Sequence, residues 1–140
     1  IGEGGAPMPL GRPRPWLDDK GMLLDTKSDY AWFPELDPDF RKWTAYFTGK
    51  HGWPSGPVNA VELWNEPWEG ISISGWGADM LRFRDMYKQM ALGVEDARRD
   101  KKVDVLIGGA CSSSNTRDKL FADGSDEYLK WLDFVSIHYQ

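Results

Sequence analysis

The clearest periodic pattern in the chain runs over residues 78–99. Phe83, Met86, Tyr87, Met90, Ala91, Val94 and Ala97 recur at steps of three and four, while Asp85, Lys88, Gln89, Glu95, Asp96 and Arg99 fall between them. This spacing predicts a helix with one core-facing apolar stripe. Gly93 sits inside the pattern, where glycine costs about 1 kcal/mol relative to alanine. It is expected to allow close approach of the helix to a sheet. A second helix is predicted from Asp37-Pro38-Asp39, which offers a capping side chain, a proline at the first helical position and an acid in the first turn. Phe40, Trp43 and Phe47 follow at helical spacing, and Gly49 and Gly52 offer a stop. Short apolar runs predict strands near 58–65, 103–108 and 134–139. The second of these ends at Gly108-Gly109. Ser125 is expected to cap a short helix running to Leu132, after a helical turn at 118–121. Residues 1–36, rich in glycine and proline, read as an irregular loop region, as does the stretch from Trp68 to Gly77.

The resulting order is helix, strand, helix, strand, short helix, strand. Such alternation implies a parallel sheet with right-handed crossovers. A (β/α)8 TIM barrel and an open doubly wound sheet both satisfy it. The open sheet signals its nucleotide with a G-x-G-x-x-G turn after a strand, and no strand here carries one. The expected fold class is therefore α/β, a (β/α)8 TIM barrel. A whole barrel takes about 250 residues. The chain of 140 residues is expected to be an incomplete, roughly half-barrel part of a longer protein, one partial catalytic domain over 1–140.

The candidate chemistry lies in Val61-Glu62-Leu63-Trp64-Asn65-Glu66-Pro67. A residue before proline is pushed out of the helical region into the extended one. Pro67 has no N–H to give to a sheet. Glu66 is thus expected at the last extended position of a strand, beside the Asn65 amide. General acid–base catalysis needs a carboxyl group placed in that way.

Trp-Asn-Glu-Pro at a strand end resembles the fourth barrel strand of clan A glycoside hydrolases. The longer run from Gly56 to Pro67, GPVNAVELWNEP, looks most like family 39, with family 5 next. The resemblance implies a retaining enzyme that hydrolyses O-glycosidic bonds. It makes Glu66 the general acid/base and Asn65 the partner of the sugar 2-hydroxyl. It places the three strands as barrel strands four to six, with His138 matching a recurrent histidine at the end of strand six. Family 5 often has a tyrosine two places after that histidine. Here Gln140 stands there and Tyr139 follows His138 directly, which leaves the role of Tyr139 open. Trp68 and Trp76 are candidate sugar-stacking platforms, with packing of their own loop as the other reading. In the clan the nucleophile comes from strand seven, beyond Gln140. The resemblance further implies an oligo- or polysaccharide or glycoside substrate, no cofactor, and for a polysaccharide-acting enzyme a secreted or periplasmic setting.

Glu62 cannot complete the catalytic pair. Retaining glycosidases hold their two carboxyl groups about 5–5.5 Å apart. Four strand residues place Glu62 roughly 13 Å from Glu66. Glu62 is instead expected to be hydrogen-bonded below the site.

Composition adds exclusions. A net charge of −5 without a basic run argues against a nucleic-acid partner. No stretch is long and apolar enough to span a membrane. Cys111 is the single cysteine, so no disulfide forms within the chain, and no Cys/His spacing suggests a metal site. The Cys111-Ser112-Ser113-Ser114 loop lacks a G-x-S-x-G elbow and reads as lining. His51, between glycines in a turn, reads as exposed. The chain has 8 tryptophans, which suit both sugar faces and cores. Two further readings stay open: a non-catalytic carbohydrate-binding barrel, and an unrelated open α/β domain.

Overall fold

The computed structural model describes residues 35, 37–64, 80–109 and 127–137. Helix α1 spans Asp37–His51, strand β1 Ala60–Glu62, helix α2 Met80–Lys101 and strand β2 Leu106–Gly108, and a turn of 3-10 helix follows at Leu129–Trp131. β1 and β2 pair in parallel, with Ala60 opposite Leu106, Val61 opposite Ile107 and Glu62 opposite Gly108. Gly108 is also bridged in parallel to Phe134. β2 therefore lies between β1 and the segment at 134, and α2 forms the crossover from β1 to β2.

The α2 stripe explains why this arrangement is stable. Phe83, Met86, Tyr87, Met90, Ala91, Val94 and Ala97 are all buried, and Val103, Val105, Ile107 and Leu63 complete the core around them. Burying a side chain the size of Phe83 or Met86 is worth about 1.5–3 kcal/mol. Tyr128 and Trp131 close the far side, Tyr128 against Tyr87 and Trp131 edge-on to Tyr128. α2 ends at Lys101, and Lys102 takes the left-handed conformation (φ 57°) that glycine more often supplies after a helix.

α1 begins with Asp37 and Asp39 in its first turn and ends with Lys50 and His51, so both ends complement the helix dipole. Its partner is α2. Gly93 allows close approach, but to α1 and not to the sheet. A Cβ on Gly93 would stand 2.6 Å from the Arg41 carbonyl oxygen and 2.7 Å from Thr44 Cβ. The α1 residues buried at this contact are Thr44 and Thr48, with Phe40 beside them. Each threonine hydroxyl donates to the carbonyl one turn back, Thr44 to Phe40 at 2.9 Å and Thr48 to Thr44 at 2.7 Å. That leaves their methyl groups to pack. Phe40, Trp43, Phe47 and His51 instead form a run of successive ring contacts along α1.

Ion pairs fix the two helices in register. Arg82 grips Asp37 through two guanidinium nitrogens at 2.8 and 2.6 Å. Arg41 does the same to Asp96 at 2.7 and 3.0 Å, and Arg99 joins at 2.9 Å. The Arg41 hydrogen bonds hold the Asp96 carboxyl below the usual carboxylate range.

The strands are shorter than their apolar runs. β1 ends at Glu62, not at Asn65, because Trp64 adopts φ 61° and takes the chain out of the extended region. Pro67 restricts only the residue before it, so it exerts no hold on Trp64. Val58 is bridged to Gly52 and lies outside β1. Val103 and Val105 are buried against α2, yet the pairing with β1 starts only at Leu106. The helix expected up to Leu132 is a single 3-10 turn at its described end, and Ser125 lies outside the described residues.

Candidate functional site

Parallel strands share a direction, so the C-terminal ends of β1, β2 and the segment at 134 fall on one edge of the sheet. Side chains of ladder partners point to the same face. On the face turned from α2 stand Ala60, Glu62 and Leu106, with Phe134 bridged to Gly108 beside them. Ala60 and Glu62 are exposed, and Leu106 is 44% exposed.

β2 ends in Gly108 and is followed by Gly109, and each is covered by a neighbour. A Cβ on Gly108 would meet the Phe134 ring at 2.3 Å. A Cβ on Gly109 would stand 2.4 Å from Glu62 Cγ and 3.0 Å from Glu62 Cδ, and Gly109 also takes φ +103°. The expected third strand is, among the described residues, a single bridge at Phe134, and without side chains on the two glycines β1 and this segment reach each other over the end of β2. Ser136 Oγ donates to Glu62 Oε1 across that gap. Glu62 is thus hydrogen-bonded, but exposed at the end of β1 and not low in a barrel.

Immediately beyond, Leu63 is buried in the core and Trp64 packs against it half-buried. A bulky residue at positive φ is uncommon and costs on the order of 1–2 kcal/mol. That cost falls two residues before Glu66.

An ionic cluster anchors the same edge from the α2 side. Asp133 N–H donates to the Ile107 carbonyl at 2.7 Å, and Ile107 N–H donates to Asp133 Oδ2 at 2.9 Å. Arg98 donates to that same carboxylate oxygen at 2.6 Å, to the Val105 carbonyl at 2.7 Å and to Glu95 at 2.6 Å. Burial pushes the Asp133 carboxyl up, but the Ile107 N–H and the Arg98 guanidinium outweigh it and the group sits below its ordinary range.

The residues singled out in the sequence, Asn65, Glu66, Trp68, Trp76, His138 and Tyr139, lie outside the described residues, as does Cys111. The structure describes the chain up to one residue before Asn65 and up to one residue before His138. Sequence reasoning missed Ser136, Asp133 and the covering of Gly108 and Gly109. The glycine pair after an apolar strand was the available signal for the last, since strand glycines mark close approach.

Among the described residues, no group of His, Cys, Asp and Glu is placed to hold a metal ion. No described helix is long and apolar enough to cross a membrane. No protein-family model, no curated protein and no solved structure matches the chain.

Proposed function

We propose that the chain is part of a retaining glycoside hydrolase on a (β/α)8 barrel, supplying strands four to six. One observation carries this reading. The Asn65-Glu66-Pro67 motif follows closely on the first of three parallel-paired segments, β1, which is joined to the second by a helical crossover. In barrel enzymes the catalytic groups sit beyond the C-terminal ends of such strands.

In the proposed mechanism Glu66 protonates the glycosidic oxygen as the bond to the leaving group breaks. A carboxylate from a seventh strand, outside these 140 residues, attacks the anomeric carbon and forms a glycosyl ester. Glu66 then takes a proton from water, which attacks the ester and releases the sugar with its configuration retained. Asn65 hydrogen-bonds the 2-hydroxyl of the reacting sugar, a bond that strengthens in the transition state. His138 and Tyr139 border the sugar, and Trp68 and Trp76 stack on its ring faces. The substrate is an oligo- or polysaccharide or a simple glycoside.

The test is Glu66→Gln in the full reading frame. It keeps the shape of the side chain and removes the transferable proton, and general acid catalysis is worth about 10²–10⁴-fold. The loss should be large for alkyl glycosides and small for aryl glycosides with activated leaving groups. Equal loss on both would overturn the role of Glu66. Sugar binding without any hydrolysis would favour the non-catalytic barrel.

A further inference from the structure

The chain after α2 and β2 is anchored unevenly. Tyr128 and Trp131 are buried, with ring contacts to Tyr87 and to each other, and the Arg84 guanidinium lies 4.7 Å over the Tyr128 ring. Past Leu132 the anchoring thins. None of the residues from Asp133 to Ile137 is buried, and Val135 and Ile137 are 50% and 68% exposed. Among the described residues, one bridge joins this segment to the sheet, Phe134 to Gly108. Its hydrogen bonds are those of Asp133 to Ile107 and Arg98, and of Ser136 to Glu62. Few buried apolar contacts and hydrogen bonds within reach of water mark a segment that opens at low cost.

The bonds along β2 divide the same way. Leu106 N–H donates to the Asn59 carbonyl at 2.8 Å, on the β1 side. Ile107 N–H donates the other way, to Asp133 Oδ2, and the Ile107 carbonyl accepts from Asp133 N–H. Arg98 on α2 donates to the same Asp133 oxygen and also holds Glu95. We propose that residues 133–137 form a strap that opens as a unit while α1, α2, β1 and β2 stay folded, hinged after Trp131 and latched by Asp133. Opening bares Ile107 N–H and C=O, an unpaired strand edge of the kind that templates pairing with another chain. The strap thereby gates that edge. Nothing in it depends on the hydrolase reading, and no glycoside enters its test.

The test is amide hydrogen exchange followed by NMR in the full reading frame, at urea concentrations below the unfolding transition. Successive β2 amides report the two neighbours separately. Leu106 should exchange only with global unfolding, together with Val94 and Ala97 in the core of α2. Ile107 and Asp133 should exchange at least about 100-fold faster than Leu106. Their rates should be nearly flat in urea, because opening five exposed residues uncovers little surface. Equal rates and equal urea slopes for Ile107, Asp133 and Leu106 would overturn the strap.

Two variants check the hinge and the latch. Gly93→Ala strains the α1–α2 contact, which is intact whether the strap is closed or open. It should speed Leu106 about 10-fold and leave Ile107 and Asp133 unchanged. A variant that speeds all three alike would show that no separate opening exists. Asp133→Ala keeps the backbone bond of residue 133 to the Ile107 carbonyl and removes the carboxylate. The amide of residue 133 should then exchange about 10-fold faster. An unchanged rate there would overturn the role of Asp133 as the latch.

Discussion

Gly93 sets two physical rules against each other, so substituting it is a sharp test of the fold. Helix propensity alone predicts that Gly93→Ala stabilises α2 by about 1 kcal/mol. Packing predicts the opposite. The new Cβ would lie 2.6 Å from the Arg41 carbonyl oxygen and 3.1 Å from the Ala45 nitrogen, both backbone atoms of α1, and 2.7 Å from Thr44 Cβ. Backbone cannot swing aside as a side-chain tip can. Reaching an ordinary contact of 3.4 Å therefore requires the helices to part by about 0.8 Å along that line. Overpacking of this kind costs about 1–3 kcal/mol. The Arg41–Asp96 pair spans the same interface and would be stretched with it. The net expectation is a loss of about 1–2 kcal/mol, measured as a lower urea midpoint at unchanged slope. Gly49→Ala is the matched control. Its Cβ would meet chiefly the exposed Lys101 side chain, at 3.0 Å, with Ala97 Cβ at an ordinary 3.9 Å. Lys101 can move, so Gly49→Ala should be neutral or stabilising by up to about 1 kcal/mol. A stabilised Gly93→Ala, with the same gain as Gly49→Ala, would refute the close α1–α2 contact.

Two further outcomes follow from the ion pairs. Asp37→Ala removes the carboxylate gripped by Arg82, whose side chain is only 9% exposed, and should cost about 3 kcal/mol in denaturant unfolding. Asp96 and Asp133 both sit below the ordinary carboxylate range in the folded protein, so their contribution is complete above the unfolded value of about 3.9 and is lost as pH falls through the lower folded values. Unfolding free energy should therefore drop with acid below about pH 4, and Asp96→Asn and Asp133→Asn should each flatten that slope; an unchanged slope in both would contradict the pairs.

The parts legible in the sequence are those where a single physical signal acts along the chain. The α2 stripe is buried along its whole length because apolar periodicity over six turns has no competitor. The start of α1 at Asp37 is local chemistry and was legible, but its carboxylate is held by Arg82 and the helix runs through Gly49 to His51. What the sequence concealed is contact between distant residues. Thr44 and Thr48 look polar, but hydroxyls spent on the preceding turn turn them into apolar knobs. A glycine inside a helix announces a close neighbour without saying which. The strand-pitch argument for Glu62 assumed a strand running on to Glu66, whereas β1 ends at Glu62, and nothing near Glu62 pointed to Ser136. At the motif itself, Pro67 constrains Glu66 alone, so the turn of the chain at Trp64 had no visible cause.

The segment from Asp133 to Ser136 makes contacts of unequal weight over a few residues. Asp133 supplies both halves of a strand pairing to Ile107, one from its backbone and one from its carboxylate, and Arg98 ties that carboxylate to α2. This contact is charge-assisted and partly buried, so it carries folding energy. Phe134 then closes over Gly108, and the chain enters the register of β2. Ser136 comes last and reaches past β2 to β1 through one exposed hydrogen bond. The first contact holds the segment in place; the last links it to β1. Losing Asp133 should therefore lower stability and make it less sensitive to acid, while losing Ser136 should leave the unfolding curve nearly where it was. If Ser136→Ala unfolded the protein as readily as Asp133→Ala, the ranking would fail, and the Glu62 contact would have to be counted as part of the framework.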